Sequence, residues 1–326
     1  MEVQKIEELD NLIIHKDIIE NGLKIGKLLF EKLKLDGDIV WLGAKVNSKY
    51  PFDIKIGETG ISLKEDSYIL KNPSFADYLN AIVQPKISFR NIHVFRHFAQ
   101  NEFNIWFNYS LNKLKEKSKN YEINQIIFSY QKKNFYIKKG VEELIFGSEN
   151  FERSLKLTDD IDEITFNSIL GGDILEHTFS KWIKDSLERN DEKYKTLKKD
   201  CSIKAGENLK EFILNNLNLN SEKILELLQI YDQPYYYGKS FGAMHLYKVP
   251  SNNECKIKLK DIEIRVPQSQ LNVYFTFEIS NKNDTNAIIF RVECRYSHGQ
   301  FKGIPEAKLY YTDNVNYLKN LYTVIN

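Results

Sequence analysis

The chain has 326 residues, 42% of them hydrophobic and 28% charged, with a formal net charge of +1. This composition excludes an intrinsically disordered chain, and the length calls for two domains or one large elaborated domain. The charge balance leaves a nucleic-acid partner open, because phosphate binding requires local rather than total positive charge.

The N-terminal segment Met1 to Ile14 is acidic and polar, unlike a signal peptide, and no run of about 18 apolar residues exists to span a membrane. From Lys16 to Lys34 the residues Ile18, Ile19, Ile25, Leu28, Leu29 and Leu33 recur with helical spacing. Asp36-Gly37-Asp38 ends that helix. Short strands are expected at Ile39–Leu42, Phe52–Ile56 and Ile61–Lys64, with a turn from Gly57 to Gly60. Asn72-Pro73-Ser74 opens a further helix that presents Phe75, Tyr78, Leu79 and Ile82 on one face. Ile92–Phe98 reads as strand and Glu102–Lys117 as helix, and Gln125–Tyr130 with Asn134–Lys138 as a hairpin. Asp173 to Ile230 is helical in pattern. From Tyr235 the pattern alternates, and Val273–Ile279 with Ala287–Glu293 bracket a polar hairpin loop. Soft boundaries fall near residues 150 and 232. Cys201, Cys255 and Cys294 form no CxxC pair, which predicts reduced thiols in a cytoplasmic protein rather than disulfides or a zinc site.

The chemistry-bearing segment is Pro51-Phe52-Asp53-Ile54-Lys55-Ile56 followed by Gly60-Ile61-Ser62-Leu63-Lys64. Alternate strand residues share a face, so Ser62 and Lys64 point the same way and Asp53 can meet them from the neighbouring antiparallel strand. A carboxylate facing a lysine suits metal-assisted phosphodiester hydrolysis: the acid holds Mg²⁺ and the lysine orients water and offsets developing charge.

This order of elements resembles the core of the PD-(D/E)XK nuclease superfamily. The string Gly60-Ile61-Ser62-Leu63-Lys64-Glu65-Asp66-Ser67 is similar to restriction-type members in which the second acid is serine. The resemblance covers roughly residues 15 to 85. It implies a metal-binding role for Asp53 and a catalytic one for Lys64. Ser62, in the place of the usual carboxylate, is a weak ligand for a hard cation. Other acids must then complete the site or the site is inactive. Asp66 shares the parity of Ser62 and Lys64, whereas Glu65 points away. In several branches a helical glutamate contributes, and Glu20 and Glu31 share one helical face. Glu31 is the preferred candidate, against the alternative of a solvated side chain beside Lys27. Catalytic roles are thus expected for Asp53, Lys64, Ser62 and Glu31, and metal ligation for Asp53, Glu31 and Asp66.

His93 and His97 have the spacing of helical metal ligands, but a strand over 92–98 favours ordinary, partly buried histidines. The cluster Arg295, Tyr296, His298, Gln300 and Lys302 lies on a glycine-punctuated stretch that suits phosphate and base-edge contacts. It suits equally a loop that turns a corner in a β domain. Glu293-x-Arg295 and Glu306-x-Lys308 mimic the motif without an upstream Pro-Asp strand, so a C-terminal nuclease core ranks second. No P-loop, GxGxxG, GxSxG or HExxH occurs.

The expected fold is α+β or α/β: a restriction-endonuclease-like mixed sheet flanked by helices (1–150), a helical segment (151–231) and a β-rich DNA-recognition domain (232–326). The expected activity is Mg²⁺-dependent hydrolysis of double-stranded DNA by a homodimer, leaving 5′-phosphates as the resemblance implies. The alternatives are a catalytically inactive DNA-binding relative and an interaction protein without a nucleic-acid partner.

Overall fold

A computed structural model describes residues 27, 29–42, 52–65, 69–71, 74–84, 92–240, 244–280, 285–311 and 323–325. The described part begins with a helical turn over 29–33 and an antiparallel meander of β1 (Ile39–Trp41), β2 (Ile54–Ile56) and β3 (Thr59–Glu65). Strand β4 (Ile69–Lys71) and helix α1 (Phe75–Ile82) follow. Ser74 caps α1 by accepting the Asp77 amide at 3.1 Å. Phe75, Ala76, Tyr78, Leu79, Ala81 and Ile82 are buried while Asp77 and Asn80 stay exposed, so the helix is amphipathic with a broad apolar face.

The stretch expected as strand at 92–98 is instead helix α2 (Val94–Phe98), joined through Ala99 to α3 (Gln100–Lys119). Apolar residues at 92, 94, 95 and 98 fit either period over so short a run. The deciding group is His93, whose Nδ1 accepts the Arg96 amide at 3.2 Å as a helix cap. A four-stranded meander then builds from β5 (Gln125–Tyr130), β6 (Lys133–Lys139), β7 (Glu143–Ser148) and β8 (Phe151–Lys156). Gln131 and Lys132, both at positive φ (46° and 64°), make its first turn.

The helical segment comprises α4 (Glu163–Leu170), α5 (Gly172–Leu175), π-helical turns over Glu176–Ser180 and Ile183–Leu187, α6 (Glu192–Asn215) and α7 (Ser221–Leu227). The remaining strands are β9 (Tyr235–Ser240), β10 (Met244–Val249), β11 (Lys256–Arg265), β12 (Leu271–Ser280), β13 (Thr285–Arg295), β14 (Glu306–Tyr311) and β15 (Thr323–Ile325). The protein is of mixed α+β class. No helix among the described residues is long and apolar enough to cross a membrane.

Both larger sheets draw strands from the two ends of the chain. One has the order β1-β2-β3-β9-β10-β15, with β3 and β9 parallel; the other has the order β11-β12-β13-β14-β4. The expected sequential boundaries near 150 and 232 therefore do not separate the sheets, because non-local pairing is invisible to composition. One large core runs from Phe52 through the helices to Leu309. Helix α6 presses closely on the five-stranded sheet: a Cβ at Gly206 would lie 2.4 Å from Ile264 Cγ2. The six-stranded sheet is covered on both faces. Tyr235, Tyr237, Tyr247 and Val249 join the main core, while Ile61 and Leu246 pack with Leu29 of the turn 29–33.

Candidate functional site

The hairpin β2–β3 positions Asp53. Its amide donates to the Ile61 carbonyl at 2.9 Å and its carbonyl accepts the Leu42 amide at 2.9 Å, which extends the ladder one residue beyond β2. The side chain turns to the face of Ser62. Asp53 Oδ2 accepts the Ser62 hydroxyl at 3.3 Å and the Leu63 amide at 3.2 Å. Phe52 folds over Gly60, where a Cβ would fall 2.3 Å from its ring, so a glycine is required there for the aromatic to cover the strand. At the far end Gly57 (φ +55°) makes the turn and nests against the segment 36–38.

Ser62 is fully buried and pairs in register with Tyr237 of β9. Burial raises the Tyr237 phenol well above its ordinary value, with Tyr247 adding to the effect. Two residues further along β3, Lys64 occupies the position opposite Lys239. Strand alternation puts both positions on the face of Ser62. The Lys64 side chain, Asp66 and Glu20 lie outside the described part of the molecule. Lys239 was not singled out from the sequence. Only the parallel β3–β9 pairing brings its position beside Lys64, and no local pattern announces a partner so distant in the chain.

Glu31 does not join this group. The turn 29–33 lays Leu29 on the Ile61 face of the sheet, and Ile61 and Ser62 point to opposite faces. Glu31 is therefore separated from Asp53 by the sheet. It stands 3.8 Å from Lys27 with 55% of its side chain exposed, which is the solvated ion pair. Spacing within the helix could not show which sheet face it would cover. Among the described residues, Asp53 belongs to no group of three potential metal ligands; the group that does form is Asp173, Glu176 and His177.

Of the cluster from Arg295 to Gly303, Tyr296, Gln300 and Lys302 are tied to neighbouring groups of the protein, while Arg295 is partly and His298 largely exposed. Tyr296 Oη lies 2.8 Å from His93 Nε2 beneath the surface, and burial, with Glu163 nearby, raises its phenol far above the ordinary value. Gln300 anchors the loop through its carbonyl, which accepts the Ser180 hydroxyl at 2.7 Å, and its amide nitrogen is buried. Lys302 pairs with Glu176. Arg295 sits 3.7 Å from Glu293, and His298 remains 67% exposed beside Glu306. At the centre, Phe301 adopts φ 64° and is fully buried against Trp106, Phe107 and Phe103. Of the two readings the sequence left open, a DNA-contacting loop and a corner-turning loop, the buried Phe301 supports the packing role of the second.

His93 is a structural residue. With Nδ1 accepting the Arg96 amide, the neutral ring carries its proton on Nε2 and donates it to Tyr296. Burial, with Arg96 adding, lowers its pKa to about 3. His97 is exposed while His93 is buried with both ring nitrogens engaged, so the two do not form a metal pair.

Comparison of the chain with protein-family models, curated proteins and solved structures finds no match.

Proposed function

We propose that the protein is a metal-dependent DNA endonuclease of restriction type, with a PD-(D/E)XK-like core in the six-stranded sheet. One observation carries the reading. Asp53 faces Ser62 across the β2–β3 hairpin, and Lys64 stands two positions further along the same strand. The parallel neighbour β9 adds support, since ligands of mixed sheets gather beyond the carboxyl ends of parallel strands, where the Lys64 and Lys239 positions lie.

The donor set fits a hard divalent cation sparingly. Asp53 Oδ2 already accepts two hydrogen bonds, so Oδ1 would hold the ion. Mg²⁺ commonly binds through one or two carboxylates and completes its shell with water and phosphate oxygens. When bound, Mg²⁺ would polarise the scissile phosphate. Ser62 would orient Asp53, and Lys64 would offset charge developing on the phosphate. Double-stranded DNA would be the substrate, and a homodimer would present two such sites to the two strands of a palindrome.

A second reading has its own support. Among the described residues Asp53 belongs to no group of three potential metal ligands, as expected of a DNA-binding relative without catalysis. Incubation of the protein with varied double-stranded DNA and Mg²⁺ separates the two. Discrete fragments from the parent are expected, with Asp53→Asn and Lys64→Ala slower by about 100-fold or more. Fragments from Lys64→Ala at the parent's rate would remove the proposed mechanism, and DNA retention without cleavage by the parent would favour the second reading.

A further inference from the structure

Asp173, Glu176 and His177 share one turn where α5 passes into the π-helical segment, and one ligand atom from each lies within 4.8 Å of the others. We propose that they form a binding site for a divalent transition-metal ion, Zn²⁺ above Mg²⁺, with Lys302 as a tethered competitor for it. The site is separate from Asp53 and does not depend on the nuclease reading.

The ligand chemistry comes first. One imidazole and two carboxylates offer a nitrogen and two oxygens, a three-residue set that leaves Zn²⁺ a further position for water. Mg²⁺ prefers oxygen alone. The second observation concerns His177. Its ring is stacked on Tyr130 (centroids 4.1 Å, 21° between planes) and lies 4.7 Å from Phe135, so the β5–β6 hairpin holds its orientation. Neither ring nitrogen has a hydrogen-bond partner among the described residues, although the side chain is half-buried. Imidazoles fixed in this way are normally oriented by a hydrogen bond from one nitrogen. Here aromatic stacking does that work and leaves the ring edge available to the acids. Asp173 is exposed and also lacks a hydrogen bond or ion pair among the described residues, so it can swing onto a metal at little cost.

The third observation is that a cation already sits at the site. The Lys302 ammonium contacts the Glu176 carboxylate. The loop that carries it is fixed by the Ser180–Gln300 hydrogen bond and by Gly299, where a Cβ would fall 2.7 Å from Ser180. The ammonium can supply one positive charge but no link to His177 or Asp173. A dication engages all three and displaces it.

Calorimetric titration of the full-length protein with zinc chloride, with the visible absorption of added cobalt(II) as a second readout, tests the assignment. One equivalent of zinc is expected, with excess Mg²⁺ unable to displace it. His177→Ala and Asp173→Asn should each weaken binding by about tenfold or more. Lys302→Met should tighten it, by up to about fivefold for loss of a partly exposed competing ion pair. Asp173 supports no packing, so its variant keeps the test valid if His177→Ala fails to fold. Asp53→Asn should bind zinc as the parent does, whatever becomes of DNA cleavage. Absence of zinc binding, binding unchanged by Asp173→Asn, or binding lost in Asp53→Asn alone would each overturn the proposal.

Discussion

A buried polar cluster links α2, α4 and the 295–303 loop. Arg96 Nε stands 3.3 Å from Glu163 Oε2, and Asn167 Nδ2 donates to Glu163 Oε1 at 2.6 Å and to the Phe301 carbonyl at 2.9 Å. Burial raises the Glu163 pKa from 4.5 to about 7, partly offset by Arg96, while burial lowers that of His93 from 6.5 to about 3. The two groups act on stability in opposite senses. Between about 4.5 and 7 the folded state holds a proton on Glu163 that the unfolded chain has released, so stability falls as pH rises. Between about 3 and 6.5 the unfolded chain holds a proton that folded His93 refuses, so stability rises with pH. Their effects cancel in the overlap, and the pair alone predicts a plateau from about 4.5 to 6.5. Glu163→Gln should unmask the histidine: urea midpoints that climb steadily with pH up to about 6.5 and then level. His93→Asn keeps a capping side chain and should instead give midpoints that fall from about 4.5 to 7. A pH profile of Glu163→Gln identical to that of the parent would show that Glu163 titrates normally and that the cancellation is absent.

At the scale of elements, the loop Arg295–Gly303 behaves as part of the core. Phe301 holds α3 and the π-helical segment together through Trp106, Phe107 and Phe179. Phe301→Ala should cost about 3–5 kcal/mol, the usual range for emptying a buried phenylalanine site. Lys302→Met, at a partly exposed ion pair, should cost less than about 1 kcal/mol. Chemical denaturation of both variants checks the order, and equal small losses would place Phe301 outside the core. The contrast shows what the sequence could reveal. Helices α1 and α3 and strands β11, β12 and β13 were legible because their periodicity is local and their apolar faces are long. The approach of Asp53 to Ser62 was legible for the same reason, since a short hairpin joins them. The face covered by the helix of Glu31 and the inward turn of Phe301 were not. Each depends on a tertiary contact that residue type alone does not specify.

At the scale of the molecule, the sheets tie the two ends of the chain together. Strand β9 takes β3 as its parallel partner, β14 takes β4, and β12 buries Leu271, Val273, Phe275, Phe277 and Ile279 in the same core as α6. A C-terminal fragment from residue 232 would expose the strand edges and the apolar sheet face that these partners cover, and unpaired edges of that kind invite aggregation. Expressed alone it should show no cooperative unfolding transition. In the intact chain all three tryptophans, Trp41, Trp106 and Trp182, precede residue 232, so their fluorescence reports that part of the chain, whereas far-ultraviolet circular dichroism reports helices and sheets throughout. If one core joins them, both signals should pass through the same urea midpoint. Separate domains divided near residue 232 would give circular dichroism a second step to which tryptophan is blind. The parallel β3–β9 pair sharpens the expectation further. Closing it brings together segments separated by the whole helical region, a long loop closure that delays folding more than it weakens the folded state. Refolding should accordingly be slow while unfolding stays single and cooperative, and the Asp53 hairpin should gain its Lys239 neighbour only as that pair closes.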